Sequence, residues 1–291
     1  MYNRKFDTVK GKWYKNEYRI LKLLGKGGIG EIYLATHEKR GLVALKLSKS
    51  MLSITREYDT IKKYKGKGFA PIVYELDDWQ CNGETYHFFV MEYIKGYNLA
   101  EAMKKHMPLE LKIRIFMIIL RIIEDINETG LIYSDIKHEN IMVDYNNMVI
   151  RLVDFGSLVP IGENIKEYTP LYDRCSWGLG PRVADLTYQV FSAAILLMTL
   201  LADSVSLVGI GSISSVLKTL EKNNVPKSLS NLICKALKGQ IKSCHVFLEK
   251  LKDIDLNEKK KTCRLNIALD AIIASLLFLL VAVLIKIRHL N

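Results

Sequence analysis

An α+β fold in two lobes is what this sequence predicts, and three features predict it. Alternating apolar and polar residues fill the first third, helical periodicity dominates the last half, and the two are segregated rather than alternating as a parallel sheet requires. The chain has 291 residues, enough for about two compact domains. Its apolar fraction of 49% supplies a core and excludes a disordered or fibrous protein.

The elements follow in order. Residues 18–50 read as strand, turn, strand, strand around glycines, and 53–65 carry helix periodicity through Ile54, Tyr58 and Ile61. Strands return over 71–94. Asn98 is placed to cap a helix reaching Lys105, and a long helix is expected over 109–128. Short strands at 141–143 and 148–153 flank the turn-rich Asp144-Tyr-Asn-Asn, and the chain is helical from about 183. Val190–Ala202 is apolar but only 13 residues long, too short to span a bilayer, and reads as a buried helix.

Charge is unevenly spread. The net charge of +11 divides into +11 for residues 1–67, −5 for 68–258 and +5 for 259–291. Within the first stretch Lys62, Lys63, Lys65 and Lys67 cluster, an expected docking face for DNA or anionic lipid beside the simpler reading of a solvated basic surface. The opening residues hold no apolar core of a secretory leader. Leu265–Ile285, by contrast, is 21 residues with 18 apolar, flanked by Lys259, Lys260, Lys261 and Arg264 before it and Lys286 and Arg288 after. That length and flanking predict a transmembrane helix with the preceding bulk in the cytoplasm and a short external tail, 286–291. Five cysteines without a C-x-x-C pair suit a reducing compartment, and six scattered histidines form no zinc spacing with them.

Chemistry concentrates in three places. Gly25-Lys26-Gly27-Gly28-Ile29-Gly30-Glu31-Ile32 matches G-x-G-x-x-G-x-[VI]. A dinucleotide fingerprint would open a helix after its last glycine, and a Walker A loop would end in Gly-Lys-Ser/Thr; neither holds. A glycine-rich hairpin instead lets backbone amides approach phosphate oxygens. Lys46 then stands alone in the apolar run Val43-Ala44-Leu45-Lys46-Leu47, where burial demands a partner; Glu57 on the next helix is the natural one. Last come Tyr133-Ser134-Asp135-Ile136-Lys137-His138-Glu139-Asn140 and Val153-Asp154-Phe155-Gly156. Asn140 and Asp154 flank a hairpin and offer oxygen ligands for Mg²⁺ beside nucleotide phosphates. Asp135, one loop away, is placed to accept a proton from a hydroxyl.

Together these motifs resemble the protein kinase superfamily from about Tyr18 to Leu256, most of all bacterial Hanks-type Ser/Thr kinases, which often carry one membrane span. The resemblance implies a bilobal fold, with residues 1–94 as the strand-rich lobe, 95–256 as the helical lobe and 257–264 as a linker to the span at 265–285. It implies ATP and Mg²⁺ as cofactors, with Gly25, Lys26, Gly27, Gly28, Gly30, Ile32, Ala44 and Met142 around the nucleotide. Lys46, paired to Glu57, would hold the α- and β-phosphates. Met91 would be the gatekeeper, with Glu92 to Ile94 as the hinge on adenine. Asp135 would be the catalytic base, Lys137 would steady the γ-phosphate, and Asn140 and Asp154 would bind the metal. Asp185 resembles the buried helix aspartate that anchors the catalytic loop, and Ile61, Tyr133 and Phe155 resemble an apolar spine. The implied function is phosphorylation of protein hydroxyls at a membrane, with homodimerisation one route to activation. A small-molecule kinase and an anion-binding scaffold are the alternatives. Two departures stand out: Ser134 replaces the arginine that reads an activation-segment phosphate, and the stretch Tyr168–Arg174 lacks A-P-E, with no arginine in 239–245 to pair it.

Overall fold

The computed structural model describes residues 6–105, 107–144, 147, 149–202 and 211–259, with backbone only for 255–259. The chain forms two compact units. One comprises residues up to Asn98 together with Glu139–Leu158; the other comprises Leu99–His138 and the chain from Val159 onward. The sequence placed a single boundary at 94/95. The hairpin expected at 141–153 pairs with the strand Gly96–Asn98 and is counted with the first unit.

The first unit is built on an antiparallel sheet. Its strands are β1 (Thr8–Lys10), β2 (Glu17–Lys26), β3 (Glu31–His37), β4 (Gly41–Ser48), β5 (Val73–Cys81) and β6 (Glu84–Glu92), in the order β1-β2-β3-β4-β6-β5. Alternation makes one face apolar, and Tyr18, Ile20, Ala35, Val43, Leu45, Phe88 and Val90 form its core. Helix α1 (Met51–Lys63) packs on β4, β5 and β6. Ser50 caps it by accepting the amide of Ser53, and its inward face carries Ile54, Glu57 and Ile61. A second sheet orders β10 (Val149–Leu152), β9 (Ile141–Asp144) and β7 (Gly96–Asn98). Asn98 stands directly before the helix, and its backbone pairs with Met142 in the ladder. The helix behind it, α2, is only Leu99–Ala102. Gly96 is required where β7 meets β9, since a Cβ there would lie 2.0 Å from the carbonyl oxygen of Val143.

The second unit is helical. Its long elements are α3 (Leu109–Asn127), α4 (Leu186–Leu201), α5 (Ile213–Lys222), α6 (Lys227–Leu237) and α7 (Cys244–Lys259), with a short strand β8 (Leu131–Tyr133) after α3. In α4 every residue from Tyr188 to Leu201 is buried, which is why the sequence there is apolar on all sides. α3, α5, α6 and α7 surround it, and the rings of Phe116 and Phe247 meet edge-on at 5.5 Å. Among the described residues no helix is long and apolar enough to cross a membrane. The span expected over 265–285 and the tail 286–291 lie outside the described residues, as does the linker beyond Lys259.

Candidate active site

In the first unit the glycine-rich turn closes β2 onto β3, with the amide of Gly27 donating to the carbonyl of Gly30 at 2.9 Å. A Cβ built on Gly25, Gly27 or Gly28 would meet no atom within 4 Å, so the turn presents bare backbone to open space. Gly30 differs. A Cβ there would lie 2.2 Å from the carbonyl oxygen of Leu47, so the close approach of β3 to β4 demands this glycine whatever binds nearby. Lys26 turns its exposed ammonium to Glu31, 3.0 Å away. Ala44 is buried opposite Met91, and Ile32 pairs with Lys46.

Lys46 is buried in β4, and its ammonium donates to Glu57 Oε2 at 2.6 Å; Asp154 Oδ1 lies 3.5 Å away. Burial works against the charge, but the two carboxylates outweigh it and hold the lysine's pKa above its ordinary value. Asp154 has φ 66° and ψ 65°, the left-handed region that a side chain seldom adopts. That backbone strain marks a position held by its surroundings. Two residues on, a Cβ on Gly156 would lie 3.2 Å from Glu57 Oε2, so glycine there leaves room for the ion pair.

Asn140 is buried next to this group, and its carbonyl accepts the amide of Val153 at 2.9 Å. One backbone rung thus joins the stretch carrying Asn140 to the residue before Asp154. The side chains supply a carboxylate and an amide oxygen, the hard donors that suit a small divalent cation. Met142, on β9, is half-buried.

The end of β6, at Glu92, is tied down by a residue that the sequence did not single out. Arg151, buried in β10, donates to Glu92 Oε2 at 2.6 Å, to Asp144 Oδ2 at 3.2 Å and to the carbonyl of Ala70 at 2.9 Å. Glu92 also accepts from the amide of Ile72, and its own amide donates to the Ile72 carbonyl at 2.7 Å. The carboxylate of Glu92 is thus engaged in structure; Met91 and Ile94 beside it are buried. The available signal was the one that singled out Lys46: a lone cation in an apolar strand, here Val149-Ile150-Arg151-Leu152.

In the second unit Asp135 is buried and held from both sides. Lys137 donates to Oδ2 at 2.5 Å, and the hydroxyl of Thr169 donates to Oδ1 at 2.7 Å; Lys137 also reaches Thr169 at 3.4 Å. The carboxylate of Asp135 is therefore fixed in orientation. Thr169 was not among the expected site residues, because 34 residues separate it from Asp135 and only the fold joins them.

The anchor of the catalytic loop is also not the residue expected. Asp185 caps α4, accepting the amide of Tyr188 at 2.7 Å, and pairs with Arg174 at 2.8 Å. The loop is clamped one helical turn later by Gln189, which is fully buried. Its amide oxygen accepts from Tyr133 N at 2.7 Å and its amide nitrogen donates to Tyr133 O at 3.0 Å. A neutral amide serves both backbone groups of one residue, which a carboxylate cannot.

His138 is a further buried link. Tyr172 hydroxyl lies 2.9 Å from Nδ1 and Thr199 hydroxyl 3.1 Å from Nε2. Burial pushes its pKa down to about 4, so the ring is neutral. Of the expected spine residues, Ile61 and Phe155 are buried in the first unit and Tyr133 in the second.

Residues 18–259 match the sequence model of the protein kinase domain. The chain belongs to the protein kinase family. It is 35% identical over 206 residues to the serine/threonine-protein kinase YabT of Bacillus subtilis, an alignment that covers 66% of this chain and 57% of that protein. It is 25% identical over 265 residues to the probable serine/threonine-protein kinase PknB of Lactococcus lactis, covering 83% and 42%. A third relative, PrkC of Bacillus subtilis, is 24% identical over 255 residues, covering 78% and 38%. The chain therefore spans about half the length or less of these relatives. Membership of the family implies use of ATP and a divalent metal.

The missing A-P-E has a substitute that the sequence did not disclose. At that point of the kinase chain Asp173 is fully buried and accepts from Arg182 at 2.7 and 3.0 Å and from the hydroxyl of Tyr188 at 3.0 Å. Its neighbour Arg174 takes Asp185. Two ion pairs inside one segment replace a pair to a distant helix, and burial is outweighed by these donors, which hold the Asp173 carboxyl below the usual range.

Two outcomes are expected. Replacing Arg151 by Leu strands Asp144 and Glu92 and should cost about 3–5 kcal/mol of stability in urea unfolding; a loss under 1 kcal/mol would show the pairing to be superficial. For His138 the folded pKa of about 4 lies below the ordinary 6.5. Between those values the unfolded chain binds the extra proton, so stability falls as pH falls through that window and is fully present above it. Wild type should lose on the order of 2–3 kcal/mol more than His138→Gln between pH 7 and pH 4. Equal losses would remove His138 as the source.

Proposed function

We propose that this chain is an ATP-dependent protein serine/threonine kinase. The observation that carries this reading is Asp135, its carboxylate held between Lys137 and Thr169 in a chain whose Lys46, Glu57 and Asp154 converge in the other unit. The printed names of the relatives support the choice of acceptor.

In this reading the bare backbone of Gly25, Gly27 and Gly28 faces the phosphates, and Lys46, kept charged by Glu57, binds the α- and β-phosphates. Ala44, Met91, Ile94 and Met142 form the apolar surroundings of the base. Asn140 and Asp154 would hold the divalent cation, taken as Mg²⁺, which when bound neutralises phosphate charge. Asp135 accepts the proton of the attacking hydroxyl. Lys137 steadies the γ-phosphate. Replacing Lys46 or Asp154 by Ala should each lower phosphorylation of a generic protein such as casein by about 10²-fold or more. Substantial activity in Asp154→Ala would mean the metal site is misassigned.

We further propose attachment to the cytoplasmic membrane through 265–285, on the sequence grounds of length and flanking charge. Lys62, Lys63, Lys65 and Lys67 are all exposed, which supports their reading as a face for anionic lipid or DNA. The full chain should stay in the membrane pellet through carbonate and high salt, and a chain ending at 261 should not. Binding of that shorter chain to anionic vesicles, lost when the four lysines become Gln, would support the basic face; extraction of the full chain by salt alone would overturn the span.

A further inference from the structure

The segment between Ser157 and Arg182 is laced to the catalytic loop by adjacent contacts that need no added group. Ser134, 1% exposed, donates its hydroxyl to the carbonyl of Glu167 at 3.2 Å. The next residue, Asp135, receives Thr169, two residues beyond Glu167. His138 meets Tyr172. Ser192 of α4 donates to the carbonyl of Tyr172 at 2.8 Å, and Asp173 is gripped by Arg182 and Tyr188. Arg182 in turn lies over the ring of Tyr168 at 3.7 Å. Loop positions 134, 135 and 138 thus match segment positions 167, 169 and 172.

The same segment offers a phosphate one exposed hydroxyl, that of Tyr168, and no uncommitted arginine to read it. Residues 158–167 contain no Ser, Thr or Tyr. Apart from the exposed Tyr168, the hydroxyls elsewhere are already engaged. Ser157 is buried and donates to the carbonyl of Asp154. Thr169 is on Asp135, Tyr172 is buried against His138, and Ser176 donates to Asp173 Oδ2 at 2.6 Å. A phosphate on Thr169 or Ser176 would press its two negative charges against a carboxylate, and one on Tyr172 would be driven into a buried site. Arg174 and Arg182, the segment's arginines, are both committed to carboxylates.

We propose that Ser134 is a positioning residue: it holds the segment carrying Thr169 directly through the backbone, so that the kinase turns over with no phosphate on residues 157–182. The consequence is a segment ordered by its own side chains, with control exerted elsewhere on the chain. The inference rests on Asp135 as the base that the segment orients, and the two claims separate experimentally.

The test uses the full chain, treated with a broad-specificity protein phosphatase, with mass spectrometry verifying that 157–182 carry no phosphate. Initial rates of casein phosphorylation should match the untreated enzyme within about twofold and show no lag. Ser134→Ala should lower kcat by roughly tenfold with KM for ATP unchanged, since a small misplacement of a reacting group costs that much or more; Ser134→Thr, which keeps the hydroxyl, should restore most of it. A treated enzyme that is inactive, or that recovers in step with phosphate reappearing at Tyr168, Thr169, Tyr172 or Ser176, overturns the proposal. So does a wild-type kcat in Ser134→Ala. Full activity in Asp135→Asn would instead count against the base assignment.

Discussion

A lysine ammonium in the middle of an apolar strand has to be neutralised where it stands, and this constraint organises the first unit. Lys46 cannot leave β4 without breaking the sheet, so Glu57 must come to it, which fixes the rotation of α1 on the strands beneath. The ion pair needs space, which Gly156 leaves, and the residue two before it, Asp154, adopts a left-handed backbone with its carboxylate 3.5 Å from the same ammonium. Arg151 repeats the device one sheet away, joining the end of β6 to the hairpin between Asn140 and Asp154. Buried cations thus set the geometry of strands, helix and hairpin, and the residues proposed to meet nucleotide and metal lie at the points those cations hold.

The second unit solves its positioning problem differently. Where the first unit uses buried charge pairs, the catalytic loop is held by neutral groups: the amide of Gln189 on the Tyr133 backbone, the hydroxyl of Ser134 on Glu167, and the uncharged ring of His138 between two hydroxyls. A neutral donor and acceptor avoid the desolvation cost of an ion in a core as apolar as that around α4. Charge returns at Asp135, the proposed base, and at Asp173, where two arginine nitrogens and a tyrosine hydroxyl outweigh burial.

Glycines illustrate how one motif can hold two reasons. Gly25, Gly27 and Gly28 have open space where a side chain would stand, as phosphate approach needs, while Gly30 is dictated by the carbonyl of Leu47. The motif treats its three glycine positions alike; the fold sets Gly30 apart.

By itself the sequence determined the α+β class, the strand regions 18–50 and 71–94, the helices near 53–65 and 109–128, the hairpin near 141–153, and the local constellations. Periodicity, glycine spacing and a lone cation in an apolar run are one-dimensional signals, and Lys46 with Glu57, Asp135 with Lys137 and Asn140 with Asp154 all lie within such patterns or close along the chain. What only the tertiary structure decided involves partners brought together from afar. Thr169 reaches Asp135 across 34 residues, Gln189 reaches Tyr133 across 56, and Arg151 reaches Glu92 across 59. Asp185, which matched the expected residue type, yielded its anchoring role to Gln189 because helix phase, not residue type, decides which side chain meets the Tyr133 backbone. The substitute for A-P-E was hidden for the same reason: Asp173 and Arg182 are ordinary surface residue types in one dimension, and only burial in three makes their pairing a condition of the fold.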